Sequence, residues 1–164
     1  MIVWMTKKTL PTSLILHNIR SAYNVGAIFR TADAVGVSKI YLVGYTPAPL
    51  DRFGRPRKDI AKAALGAEKT IPWDHTARIG EVFKKLKKEK TKIIAIEQSS
   101  RSVDYKKFKL TAPTAFLLGN EVEGLSKNLL KQCDTTIEIP MRGKKESLNV
   151  SVAAGVVLFR VLDR

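Results

Sequence analysis

The chain is poor in the residues that bind metals and cross-link proteins. Cys133 is its only cysteine, so no internal disulfide exists and no cysteine cluster can hold a metal. His17 and His75 are its only histidines and lie far apart, so a histidine-based metal site is not expected either. Acids are scarce as well: 15 Asp plus Glu stand against 29 Lys plus Arg, a formal charge of +14. No apolar run is long enough to cross a bilayer. The opening MIVWMTKKTLPTSL has no uninterrupted apolar stretch of the signal-peptide kind. These absences predict a soluble, cytoplasmic protein with no metal and no membrane partner.

What is present points to one folded domain spanning residues 1–164. The composition is 45% hydrophobic and 27% charged, which suits a globular chain able to bury a core. The charge imbalance speaks of partners rather than fold, and nucleic acid is the commonest polyanion.

Short apolar runs alternate with helical patterns. TSLILHNI, KIYLVG, KIIAIEQ, TAFLLG and TTIEIPM read as strands, and EKTIPW as a weak one. NVGAIFRTADAVG repeats Val25, Ile28, Phe29, Ala32 and Val35 at helical spacing, with Gly36 as its stop. IAKAALG makes one or two helical turns. ARIGEVFKKLKKEK has a buried stripe of Ile79, Val82, Phe83 and Leu86, and SKNLLKQC starts on Ser126. Residues 147–162 form a last helix, apolar around most of its circumference, which is central or lies in a subunit interface. Near-continuous apolar strands between helices predict an α/β fold, with a mainly parallel sheet and helices on both faces.

Ligands of such sheets bind beyond the C-terminal ends of the strands. Three loops there hold the unusual polar residues. FLLGNEVEGLS is neither a dinucleotide fingerprint nor a phosphate loop, because no Gly-Lys-Ser/Thr follows. Asn120 and Glu121 could hold a polar or cationic ligand there, or simply be solvated in an ordinary turn. Asn24 reads as a helix N-cap. Arg30, further along the same helix, could grip a phosphate through its planar fork or make a surface ion pair. Ser147 reads as the N-cap of the last helix, but capping does not explain Asn149 and Ser151. The lysines from Lys84 to Lys92 look like a solvated helix face. Arg52, Arg55, Arg57 and Lys58 share a Pro-rich loop with Phe53, a combination suited to RNA contact.

Taken together, NIRSAYNVGAIFRTADAVGVSKIYLVG, FLLGNEVEGLS and IEIPMRGKKESLNVSVAAGVVLF resemble the three ordered motifs of the SpoU (TrmH-type) RNA 2′-O-ribose methyltransferases of the SPOUT superfamily. The likeness runs from about Pro11 onward. It implies S-adenosylmethionine as methyl donor, S-adenosylhomocysteine as product, a deep C-terminal trefoil knot over about residues 114–164, and a homodimer. It implies a cofactor site of Leu118, Gly119, Ile139, Met141, Ser147 and Leu148, and a catalytic set of Asn24, Arg30, Glu121, Ser147 and Asn149. The substrate would be the ribose 2′-hydroxyl of tRNA or rRNA.

Two features depart from the family pattern: SAYN replaces the frequent Pro before the first-motif Asn, and only about ten residues precede the first strand. RNA capture is therefore expected from the core's own basic loops, the dimer surface or a partner. Two other readings stay open: a knotted methyltransferase acting on a base, and a non-catalytic basic RNA-binding or ribosome-assembly protein.

Overall fold

The computed structural model describes residues 10–162; most of the stretch read for a targeting signal lies in residues 1–9, outside the described residues. Strands β1 (Thr12–His17), β2 (Lys39–Val43), β3 (Trp73–Thr76), β4 (Lys92–Ile96), β5 (Val103–Asp104), β6 (Thr114–Leu118) and β7 (Thr135–Glu138) form one sheet. Their order is β3-β2-β1-β6-β4-β7-β5, and every neighbouring pair is parallel. Parallel pairs need crossovers. These are supplied by helices α1 (Ala22–Val35), α2 (Lys58–Ala64), α3 (Ala67–Thr70), α4 (Ile79–Lys88) and α5 (Lys127–Gln132), with α6 (Val150–Leu162) following the last strand.

Two apolar layers follow from the period of a strand. Along β1, Leu14 and Leu16 join one core while Ile15 joins the other. The larger core takes Ile28 and Phe29 of α1, Ile60 of α2, and Val157 and Leu158 of α6. The smaller takes Val82, Phe83 and Leu86 of α4, with Leu129 and Leu130 of α5 packed at its edge. Helices therefore cover both faces, as the apolar strand pattern predicts. The lysine-rich side of α4 is exposed. No helix of the described residues is long and apolar enough to cross a membrane.

The local details differ from the sequence expectation in five places. Ser21, not Asn24, caps α1, its hydroxyl accepting the Asn24 N–H at 3.2 Å. Asn149, not Ser147, begins α6: its Oδ1 accepts the Ser151 N–H at 2.8 Å and its carbonyl accepts the Ala153 N–H at 2.9 Å. Residues 68–70 of the expected EKTIPW strand belong to α3, and the strand starts only at Trp73, after Pro72. Lys58 is not in the loop but opens α2. Tyr105–Lys107 forms a 3₁₀ turn after the short β5, neither of which has a clear apolar signature.

Candidate active site

Strands β4, β6 and β7 are neighbours, and a cleft of about 230 Å³ opens beyond their C-terminal ends. Ile96, Leu118, Ile139 and Val150 give it apolar walls. All six residues implied as a cofactor site line it: Leu118, Gly119, Ile139, Met141, Ser147 and Leu148. Glu121 lines it too, together with Glu97, Gln98, Glu123 and Glu138. In a chain so rich in cations, this gathering of carboxylates favours a ligand with a positive centre.

The floor is shaped by a tight loop after β6. Gly124 adopts φ 64°, in the left-handed region. A Cβ on Gly119 would stand 2.8 Å from the Gly124 carbonyl, so only glycine lets these two turns of backbone meet. Asn120 pins the loop: its Oδ1 accepts the N–H of Val122 at 2.8 Å and of Glu123 at 2.9 Å. Its amide donates to the Asn18 carbonyl at 3.0 Å and to Tyr45 Oη at 2.8 Å. Glu97 holds the far side, accepting the Leu125 N–H at 2.9 Å. The Gln98 amide donates to the Glu146 carbonyl at 2.5 Å, tying the end of β4 to the irregular segment before α6.

Three of the polar residues singled out in the sequence form one chain of hydrogen bonds. Glu121 Oε1 accepts the Ser21 N–H and the Asn24 amide, each at 3.0 Å, and Oε2 accepts the Arg20 N–H at 2.9 Å. Asn24 Oδ1 in turn accepts the Asn149 amide at 3.1 Å. Burial pulls the Glu121 carboxyl upward, but the N–H groups of Arg20 and Ser21 and the Asn24 amide outweigh it and hold it below the ordinary range. A carboxylate that accepts three donors is an anchor for the first turn of α1 rather than a free base.

Ser147 faces the cleft, whereas Asn24 and Asn149 reach it through Glu121 and the start of α6. Arg30 is not brought to this network. It is exposed on α1, about 120° around the helix from Asn24 at six residues' separation, and has no carboxylate partner among the described residues. Arg52, Arg55 and Arg57 line a separate groove, with Arg55 paired to Asp51 at 2.9 Å and Arg57 to Asp59 at 2.5 Å. Glu97 and Gln98 escaped the sequence reading, although they follow an apolar strand as directly as Gly119 and Asn120 do. The strand-end rule applies to β4 as well and would have found them. Among the described residues no group of His, Cys, Asp and Glu is arranged to hold a metal ion.

The sheet, the cleft beyond its strand ends and the three converging polar segments define an α/β protein with a candidate ligand site at its strand ends. The chain belongs to the SpoU rRNA Methylase family, whose model matches residues 11–159. It is 36% identical over 148 residues to a 23S rRNA (guanosine-2′-O-)-methyltransferase of Neisseria meningitidis, covering 90% of this chain and 56% of that protein. It is 33% identical over 147 residues to the tRNA (guanosine(18)-2′-O)-methyltransferase of Escherichia coli, covering 90% and 61%. Its fold matches the crystal structure of an AdoMet-bound rRNA methyltransferase from Sinorhizobium meliloti with a TM-score of 0.80 and 32% identity, over 93% of this chain and 56% of that one. The chain thus spans less than two thirds of the length of each of these relatives.

Proposed function

We propose that this protein is an S-adenosylmethionine-dependent RNA methyltransferase that modifies a ribose 2′-hydroxyl of tRNA or rRNA in the cytoplasm. The observation that carries the reading is the cleft of Leu118, Gly119, Ile139, Met141, Ser147 and Leu148, set beside the Glu121–Asn24–Asn149 chain. The donor set suits the cofactor: apolar walls for an adenine, backbone groups around Gly119, and carboxylates for a cationic sulfonium and ammonium. When bound, S-adenosylmethionine supplies a methyl group already activated on sulfur.

The protein's own task is then alignment and charge control. Glu121 fixes the first turn of α1 against the β6 loop, and Asn24 passes that position to Asn149. Ser147, at the cleft, orients the ribose hydroxyl. A guanidinium keeps its proton in proteins, so Arg30 is not cast as the base. In this reading it holds an RNA phosphate and stabilises negative charge developing on the ribose oxygen. Arg52, Arg55, Arg57 and Lys58 add backbone contacts to the RNA.

A homodimer belongs to the same reading, supported by α6, where Val152 and Phe159 are each 49% exposed on a predominantly apolar helix. So does the trefoil knot, with the segment from Ile139 to Asn149 passing beside the β6 loop. Methyl transfer from labelled S-adenosylmethionine to total tRNA and rRNA, followed by alkaline hydrolysis, tests the proposal. Label in alkali-resistant dinucleotides is the expected result. Label in mononucleotides alone would mean base methylation and overturn the ribose assignment.

A further inference from the structure

A second groove lies away from the cleft, at the β3 edge of the sheet. Leu50 and Pro56 form an antiparallel bridge, so residues 50–56 make a small hairpin that folds over Trp73 and His75. Asp51 organises its turn, accepting the N–H of Phe53 at 2.8 Å and of Arg55 at 3.0 Å, and pairing with the Arg55 side chain. The open groove between hairpin and strand encloses about 820 Å³. That is within the range of small-ligand sites, roughly 300–1,000 Å³.

Its chemistry is unusual for a surface hairpin. Phe53 is 65% exposed. The guanidinium carbons of Arg52 and Arg55 stand 4.7 Å and 4.9 Å from its ring centroid, within cation–π range. Trp73 offers a second aromatic surface across the groove. Three arginines line the groove; Arg55 is paired with Asp51 and Arg57 with Asp59. Arg52 has no carboxylate partner among the described residues. Flat aromatic surfaces, guanidinium groups beside them and net positive charge together suit one ligand: an unpaired nucleotide with its phosphate.

The groove is also linked to the cleft. Tyr45 begins the loop that carries the hairpin, is 58% exposed, and accepts a hydrogen bond from Asn120, the neighbour of Glu121. A strand leaving the cleft can pass over Tyr45 toward Phe53. We propose that the groove between Phe53 and Trp73 binds an unpaired base of the RNA substrate, flanking the methylated position. This rests on the RNA methyltransferase reading and adds a selection for single-stranded substrate.

Trp4 and Trp73 are the only tryptophans, so the full chain carrying Trp4→Phe reports on Trp73 alone. It is titrated with a short unstructured RNA, with the duplex of that RNA, and with an acidic peptide of equal charge. The single strand quenches Trp73 emission, while the duplex and the peptide leave it unchanged. Phe53→Ala weakens single-strand binding by about tenfold or more, the effect of losing one base-stacking aromatic, and Phe53→Tyr restores it. Quenching by duplex or peptide equal to that by the single strand would overturn the proposal, as would undiminished binding by Phe53→Ala. Thermal shift with S-adenosylhomocysteine is measured in parallel. The RNA arm decides this groove, and the cofactor arm decides the methyltransferase reading independently.

Discussion

The side-chain amide of Asn149 donates to Asn24 Oδ1 at 3.1 Å, joining residues 125 positions apart at the starts of α6 and α1. The same Asn149 uses its Oδ1 to cap α6 through Ser151. One side chain therefore does two separable things, a cap with its oxygen and a crosslink with its nitrogen.

Substitution can pull these apart. Asn149→Ala loses both and should lower stability by about 1 kcal/mol or more for the cap alone, or roughly 2–4 °C in Tm per kcal/mol for a chain of this size. Asn149→Asp keeps the capping oxygen and loses the donor. Its Tm should fall far less, while methyl transfer drops by about 10- to 100-fold through misplacement of the site. Equal effects of Ala and Asp on both readouts would refute the division.

Gly119→Ala should strike cofactor binding. The new Cβ meets the Gly124 carbonyl at 2.8 Å, and backbone cannot swing aside as a side chain can. Overpacking of this kind costs about 1–3 kcal/mol, which the loop after β6 can relieve only by shifting the cleft wall. Calorimetry with S-adenosylhomocysteine should show affinity reduced by roughly tenfold or more, with the far-UV spectrum unchanged. Parent-like affinity would show that this wall is not used.

Arg30→Ala should leave the fold intact, because the side chain is exposed and outside the core. Cofactor affinity should also hold, while transfer to RNA is lost. Retained transfer would remove Arg30 from the proposed machinery.

Acid should weaken the protein in two stages. Burial lowers the His17 pKa from its ordinary 6.5. A depressed folded value means the unfolded chain takes up the proton first, so this contribution is complete above 6.5 and is lost as pH falls through the folded value. Glu121, also held below its ordinary value, adds stability that is complete above the usual carboxylate range and lost as pH falls through its own lower folded value. Urea midpoints measured against pH should show both steps, and Glu121→Gln should flatten the lower one. A variant curve parallel to the parent's would contradict the linkage.

The resemblance to the SpoU motifs, not any local pattern, implies Leu118, Gly119, Ile139, Met141, Ser147 and Leu148 as a cofactor site, and the fold gathers all six around one cleft. Glu121 was legible as a polar group at a strand end, but its role was not. The sequence allows a free carboxylate there, whereas the fold surrounds it with the N–H groups of Arg20 and Ser21 and the Asn24 amide. Arg30 shows the opposite case: its motif position suggests a place in the site, yet the helix turns it away from Asn24. The two caps are decided differently. Asn24 is drawn to Glu121, which leaves α1 to Ser21, whereas Ser147 lies two residues short of the helix start, so Asn149 caps α6 while also reaching Asn24.

The sequence by itself determined the layers of this protein. Apolar runs such as TSLILH and TAFLL bury both faces, which requires helices above and below a parallel sheet, and the helical stripes supply them. Only the tertiary structure decided the strand order, with β6 between β1 and β4 and β4 between β6 and β7. Burial is written locally, one side chain at a time, so it can be read along the chain. Strand pairing is made by backbone groups that are alike in every residue, so the choice of neighbour is left to the packing of the whole. That choice placed the ends of β4, β6 and β7 side by side, and the cleft exists only because of it.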